Sequence, residues 1–300
     1  MEPQNKPQRS FLRSFLRFSA GLLAVMVLLA VGSTLLPDRW KYPSGEIVLV
    51  RIQGMLMDSQ NIVRQLSNYR HNPNVRGIVL RIDSPGGAVA PAQEIYSEIM
   101  KLRADHKTVY ASMGTVAASG GYYIACAADY VLANPGTLTG SIAAVMVFSN
   151  IEELTNKIGV KPVIIKSGKY KDVGSPLRGM KPEERKLLQS VVDDVHQQFV
   201  QAVAKGRGLS VSEVKEIADG RIMTGQQALK LKLIDEIGGL EKTLELLAKK
   251  IGVEGRPRVI EEKEKTPFFD WLLQSSLSSR LIETLIPASL PRLQYIWFPQ

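Results

Sequence analysis

"EIVLVRIQGMLMDSQNIVRQLSNYRHNPNVRGIVLRIDSP", residues 46–85, decides the fold. It holds two short β-branched apolar runs, EIVLVRIQG (46–54) and VRGIVLRIDSP (75–85), on either side of the helical pattern DSQNIVRQLSNYRHN. Strand, helix and strand in that order form a βαβ unit with parallel strands. The alternation continues outward. After SPGGAVAP come the helix pattern AQEIYSEIMKLRADH (92–106), the strand TVYASMG (108–114) and a helix that begins near Ser119. DYVLANPGTLTGSIAAVMVF adds a strand and a glycine turn, NIEELTNKIG a helix, and KPVIIKSG a further buried strand. The expectation is an α/β fold around a mostly parallel sheet.

Helices then take over. KPEERKLLQSVVDDVHQQFVQAVAKGRG (181–208) is a long amphipathic helix with Pro182 and acidic residues at its start and glycines at its end. SVSE (210–213) has the form of a capping box, and Thr224 opens the helix in TGQQALKLKLIDEIGG. Residues 256–300 read as an amphipathic tail, aromatic and interrupted by Pro287 and Pro291. Such a tail packs on the domain, on a neighbouring subunit or at the membrane.

The 300 residues are 45% hydrophobic and 22% charged, enough for a substantial core. The net charge of +9 is uneven, because Lys6, Arg9, Arg13 and Arg17 crowd the first residues against Glu2 alone. FSAGLLAVMVLLAVGSTLLP (18–37) follows without a charge. A helix of about 19 residues spans roughly 28 Å, close to a bilayer's hydrocarbon thickness. The pattern predicts a cytoplasmic basic N-terminus (1–17), a transmembrane anchor (18–37) and a domain at 38–255 on the other side. The run exceeds a typical signal-peptide core and no A-x-A site follows it, which favours an anchor over a cleaved leader. The remaining positive charge is interspersed with acids, so it suits anionic headgroups and forms no stripe for nucleic acid. Cys126 is the lone cysteine, and no Cys/His spacing suits a metal, so no metal or cofactor is expected.

The chemistry lies in two glycine turns. DSPGG (83–87) and AASGG (117–121) both end predicted parallel strands, where open sheets collect ligands, so they face each other. Gly87 leaves its N–H approachable, and Gly120 follows Ser119 at a helix start. Two such N–H groups aimed at one spot stabilise an acyl oxyanion by ~3 kcal/mol per donor. Neither turn matches a phosphate or dinucleotide fingerprint. A serine nucleophile needs a base, and the histidines are badly placed: His71 and His106 fall at the opposite edge of the sheet and His196 inside the long helix. A lysine serves if burial lowers its pKa from about 10.4 to ~7–8. IIKSGKYKDVGSP (164–176) offers Lys166, Lys169 and Lys171, among which composition does not choose.

RIDSPGG, SMGTVAASGGYYIACAAD, LTGSIA, IIKSGKYKD, SPLR and RIMTGQQALKLKLIDEIGG together resemble the signal peptide peptidase SppA family, over about residues 45–250. These are membrane-anchored Ser-Lys serine peptidases with a crotonase/ClpP-like fold. The resemblance implies Ser119 as nucleophile, Lys171 as general base, Ser141 hydrogen-bonding the lysine amine, and the N–H groups of Gly87 and Gly120 as the oxyanion hole. It also implies a homo-oligomer, an octameric ring in which dyads are completed near subunit contacts. The implied substrates are cleaved signal peptides left in the bilayer and other unfolded polypeptides, cut on the periplasmic side of the inner membrane. Two other readings are a crotonase-type acyl-CoA hydratase or hydrolase, which needs neither anchor nor lysine, and a catalytically silent peptide-binding scaffold on the membrane.

Overall fold

The computed structural model describes residues 19, 21–23, 25–26, 47–253, 258–261 and 294–296. The expected βαβ unit is present as strand β1 (Ile47–Gln53), helix α1 (Gln60–His71) and strand β2 (Gly77–Ser84), with β1 and β2 parallel and in register from Ile47↔Gly77 to Gln53↔Asp83. Next come β3 (Gly86–Ala88), α2 (Val89–Ala104), β4 (Thr108–Ala118), α3 (Gly120–Ala125), β5 (Tyr130–Ala133) and β6 (Leu138–Gly140). The remaining elements are α4 (Glu152–Lys157), α5 (Pro182–Arg207), α6 (Val211–Ile217), β7 (Ile222–Thr224), α7 (Gly225–Lys230), β8 (Glu236–Ile237), α8 (Leu240–Lys250), β9 (Val259–Glu261) and β10 (Gln294–Ile296).

The main sheet runs β7-β6-β4-β2-β1-β9, with β5 pairing β4 and β8. All its pairings are parallel except β6 with β7. The length of β4 organises it. Residues Tyr110–Ser112 pair β5 and residues Val116–Ala118 pair β6, while the other edge of β4 pairs β2. Register shifts between Ile82 and Ser84, so β4 carries extra residues just before the two strands end. Such bulges re-aim a chain at the rim of a sheet.

Side-chain alternation builds a core on each face. Val48, Val50, Ile78, Leu80, Val109 and Ala111 point to one face, under Leu66 of α1, Ile95 and Ile99 of α2, Tyr122 of α3 and Phe199 of α5. Ile47, Leu49, Val79 and Tyr110 point to the other, where α8 covers them with Leu244, Leu247 and Ala248. The helix boundaries follow the local signals. Pro182 begins α5, and Gly208, at φ 64°, ends it in the left-handed region. Ser210 Oγ accepts the Glu213 N–H at 3.2 Å while Glu213 accepts the Ser210 N–H at 2.7 Å, closing the capping box of α6.

Two expectations need correction or delimiting. KPVIIKSG is no strand: residues 160–181 contain neither helix nor strand, and Val163 and Ile165 are 85% and 96% exposed. A β-branched run becomes a strand only beside a partner edge, and among the described residues none pairs it. The apolar run 18–37 lies mostly outside the described residues; Ser19, Gly21, Leu22, Leu23, Val25 and Met26 are helical. Among the described residues no helix is long and apolar enough to cross a membrane. By internal contacts residues 45–300 form one compact unit and residues 1–44 another.

Leu80, fully buried in the central strand β2, is expected to cost about 2–5 kcal/mol of stability when changed to alanine, measured by urea denaturation. Ile165→Ala is expected to stay within about 0.5 kcal/mol of the parent chain. A comparable loss at both positions would contradict the exposed placement of 160–181.

Candidate active site

β2 and β4 lie side by side and end at the same rim, so the turns that follow them meet there. Ser84 shapes the first turn: its hydroxyl donates to Gly54 O at 2.6 Å and accepts the Gly86 N–H at 3.1 Å. Gly86 has φ +97°, and a Cβ there would sit 2.7 Å from Gly120 N. Only glycine takes that backbone and that approach at low cost. Leu56 takes up the next groups, donating its N–H to Gly86 O at 2.9 Å and accepting the Ala88 N–H at 2.7 Å. Gly87's own N–H and C=O therefore face the other way.

The second turn is Ser119. β4 ends at Ala118 and α3 begins at Gly120, so one residue makes the whole corner. Ser119 does so at φ 54°, ψ −118°, which costs a non-glycine residue about 1–3 kcal/mol. Its N–H donates to Gly140 O at 2.8 Å and its carbonyl accepts the Tyr123 N–H at 2.8 Å, so the corner is fixed from both sides. Ser119 is 1% exposed, and its buried Oγ has no hydrogen-bond partner among the described residues. A strained serine on a strand-to-helix corner at the end of a sheet is the backbone arrangement of a nucleophile elbow.

Ser119, Gly87, Gly120 and Ser141 come together. Ser141 follows the residue that anchors Ser119, is buried, and has φ 51°, with its N–H held by Arg221 O at 2.8 Å. Lys171 does not join them within the chain. It is exposed on the irregular segment 160–181, and its ammonium makes no hydrogen bond or ion pair among the described residues. Drying of this amine beside a buried strand, the sequence expectation, is therefore not achieved inside one chain, because that strand does not form.

The histidines take no part in the cluster. His71 Nδ1 lies 2.8 Å from Ser67 O at the end of α1, and His106 is exposed in the turn before β4. His196 is half-buried on α5, and its Nε2 has no hydrogen-bond partner among the described residues. Burial pushes the Cys126 thiol up to about 12, far from thiolate chemistry at neutral pH. Among the described residues no group of three or more His, Cys, Asp or Glu side chains converges as metal ligands would. A cavity of about 430 Å³ lies between 146–180 and α5, lined by Met146, Phe148, Arg178 and Leu188 among others, and it includes none of the four clustered residues.

The sequence did not point to the last participant, β10. It pairs antiparallel with β3, Tyr295 opposite Gly87, on the side that Gly87's peptide groups face. Tyr295 O would lie 3.3 Å from a Cβ on Gly120, beside Gly87 N at 3.4 Å from the same point. A main-chain carbonyl thus sits between the Gly86–Gly87 turn and Gly120, the residue that follows Ser119. The Tyr295 ring is fully buried against Phe199 and Tyr123, at 4.6 and 5.3 Å between centroids, and its hydroxyl donates to Val195 O at 2.8 Å. Burial raises that phenol's pKa well above the ordinary value.

The profile of Peptidase family S49 matches residues 101–254, and that of Clp protease residues 45–139. A putative protease of Synechocystis is 48% identical over 59% of this chain and 64% of its own. A putative signal peptide peptidase SppA of Enterococcus faecium is 36% identical over 76% of this chain and 70% of its own. Protease 4 of Salmonella typhi is 32% identical over 66% of this chain, which spans 33% of that relative.

An unpartnered buried hydroxyl costs a fold about 1–3 kcal/mol. Ser119→Ala is accordingly expected to keep the fold and to raise its unfolding free energy by about 1 kcal/mol in denaturant titration. A loss of stability would mean that the hydroxyl has a structural partner.

Proposed function

Because the chain belongs to peptidase family S49, we propose that it is a serine peptidase in which Ser119 attacks the peptide carbonyl and Lys171 is the general base. The single observation that carries this reading is the carbonyl of Tyr295 lying between the Gly86–Gly87 turn and Gly120, the residue after Ser119. An extended peptide main chain, paired antiparallel with β3, is the ligand shape this rim accepts. A thioester has no such ladder of donors and acceptors, which weighs against the acyl-CoA reading. The strain and lost hydrogen bond at Ser119 weigh against a silent scaffold, since binding alone gains nothing from them.

Lys171, as a free amine, takes the Ser119 proton as Oγ bonds to the carbonyl carbon. The N–H groups of Gly87 and Gly120 receive the oxyanion, and Ser141 orients the amine. The resulting ammonium protonates the departing amine; the amine then activates the water that hydrolyses the acyl-enzyme. Since Lys171 is exposed in the single chain, its desolvation belongs to a contact between copies, in keeping with an octameric ring. An anchor at 18–37 would hold the domain at the outer face of the plasma membrane, where cleaved signal peptides and unfolded segments are the substrates. The reading requires no cofactor.

In the purified full chain, Ser119→Ala and Lys171→Ala are each expected to lower cleavage of a signal peptide by about 10⁴-fold or more. The wild-type rate should fall on the acid side of its pH profile as the amine is protonated. A Lys171→Ala variant as active as wild type would remove the lysine from the mechanism, and wild-type binding without cleavage would favour the scaffold. A chain ending at residue 293 should show a lower KM for peptides, because residues 294–296 no longer occupy the rim. An unchanged KM would place the substrate elsewhere.

A further inference from the structure

Residues 160–181 have no ladder of their own, yet one side chain in them is fully engaged. Arg178 has five N–H donors and uses all of them. Its Nε donates to Asp172 Oδ2 at 2.8 Å, its Nη1 to Glu184 Oε2 at 2.8 Å and Gly179 O at 3.0 Å, and its Nη2 to Glu184 Oε1 at 2.6 Å and Asp172 O at 3.2 Å. Glu184 is 2% exposed in the first turn of α5 and also accepts the Lys181 N–H at 3.0 Å. Asp172, the neighbour of Lys171, is held from its other side by Lys166. An irregular, mostly exposed segment is thereby fastened to a helix start at the residue adjoining Lys171.

We propose that Arg178 is a positioning residue for Lys171: it fixes the backbone at Asp172 to α5 and keeps the Asp172 carboxylate occupied, so that this carboxylate does not pair with the Lys171 amine. The inference rests on the peptidase reading. A carboxylate free to meet the amine would favour the ammonium, the form that cannot accept the serine proton. Two cations already on Asp172 prevent that. A lysine at 178 would supply charge but not the fork that reaches Asp172 and Glu184 together. Arg178, and then the Lys181 N–H, hold the Glu184 carboxyl down to about 2, and Arg178 and Lys166 hold Asp172 well below the usual carboxylate range. Both are therefore ionised, and the clamp is closed, throughout the pH range of a peptidase assay.

The test uses the full chain and a signal peptide substrate, with folding checked by circular dichroism. Arg178→Gln is expected to lower kcat about 10²-fold, as small misplacements of a reacting group do. It should also move the acid limb of the pH–rate profile to higher pH by about one unit, because Asp172 is released toward Lys171. Asp172→Asn is expected to move the same limb to lower pH, since it deletes the carboxylate and leaves Lys166 and Arg178 uncompensated. Arg178→Lys should lose part of kcat and leave the limb in place. Loss of activity in Arg178→Gln by one factor at every pH, or limbs that move in the same direction in Arg178→Gln and Asp172→Asn, would reduce Arg178 to a structural tie and overturn the proposal. If Arg178→Gln does not fold, the comparison is made with Arg178→Lys: a kcat equal to wild type there would overturn the proposal, because the fork that reaches Asp172 and Glu184 together would then be dispensable. Failure of the underlying reading looks different: the wild-type chain then shows no hydrolysis that depends on Ser119.

Discussion

The structure turns on a corner one residue long. β4 must stop and α3 must start at Ser119, and the backbone there sits in a conformation that L-residues avoid. Strain of this kind persists only where the surroundings over-determine it. Here β4 is flanked by β2 on one edge and by β5 and β6 on the other, while Gly140 and Tyr123 hold the two peptide groups of Ser119. The same corner exposes Gly120 N to the Gly86–Gly87 turn and leaves the serine hydroxyl without a partner among the described residues. Alanines before it and glycines after it supply the small volumes that allow β2's turn to approach so closely.

Two mechanical regimes meet in this chain. The body built on β1, β2, β4 and β5 is a doubly covered parallel sheet, close-packed on both faces, which holds its rim rigidly. Residues 160–181 have no such support and expose Val163, Ile165 and Tyr170 along with Lys171. What order they have comes from turns and from the salt-bridged knot at Arg178. The reading of nucleophile and base therefore draws on both regimes: a serine placed by packing, and a lysine placed by hydrogen bonds and, in the proposed oligomer, by a second copy. Within the single chain the amine is neither desolvated nor hydrogen-bonded to the serine.

Much of the architecture was legible because it is local. Alternation in 47–53 and 77–84, the 3.6-residue period of α1, α2 and α5, Pro182, Gly208 and the Ser210–Glu213 box each specify their own element within a few residues. Adjacent parallel strands then bring the DSPGG and AASGG turns to one rim, so Ser119, Gly87 and Gly120 meet as the βαβ topology requires. The KPVIIKSG segment misled for an equally physical reason. Its apolar, β-branched composition is a propensity for pairing, and propensity does not specify whether an edge is available. The role of β10 was invisible because QYI, three residues within an aromatic tail, carries no mark of the strand it will join.

What the sequence by itself determined is what depends on neighbours along the chain: the α/β alternation, the helix caps, and a serine set among residues small enough for a tight corner. Tertiary structure alone decided which distant groups share a surface. It seated Tyr295 against Gly87, set Arg178 between Asp172 and Glu184, and left Lys171 in solvent. Those outcomes depend on which edges and faces remain unfilled once the sheet has closed, a property of the whole packed body that no window of residues contains.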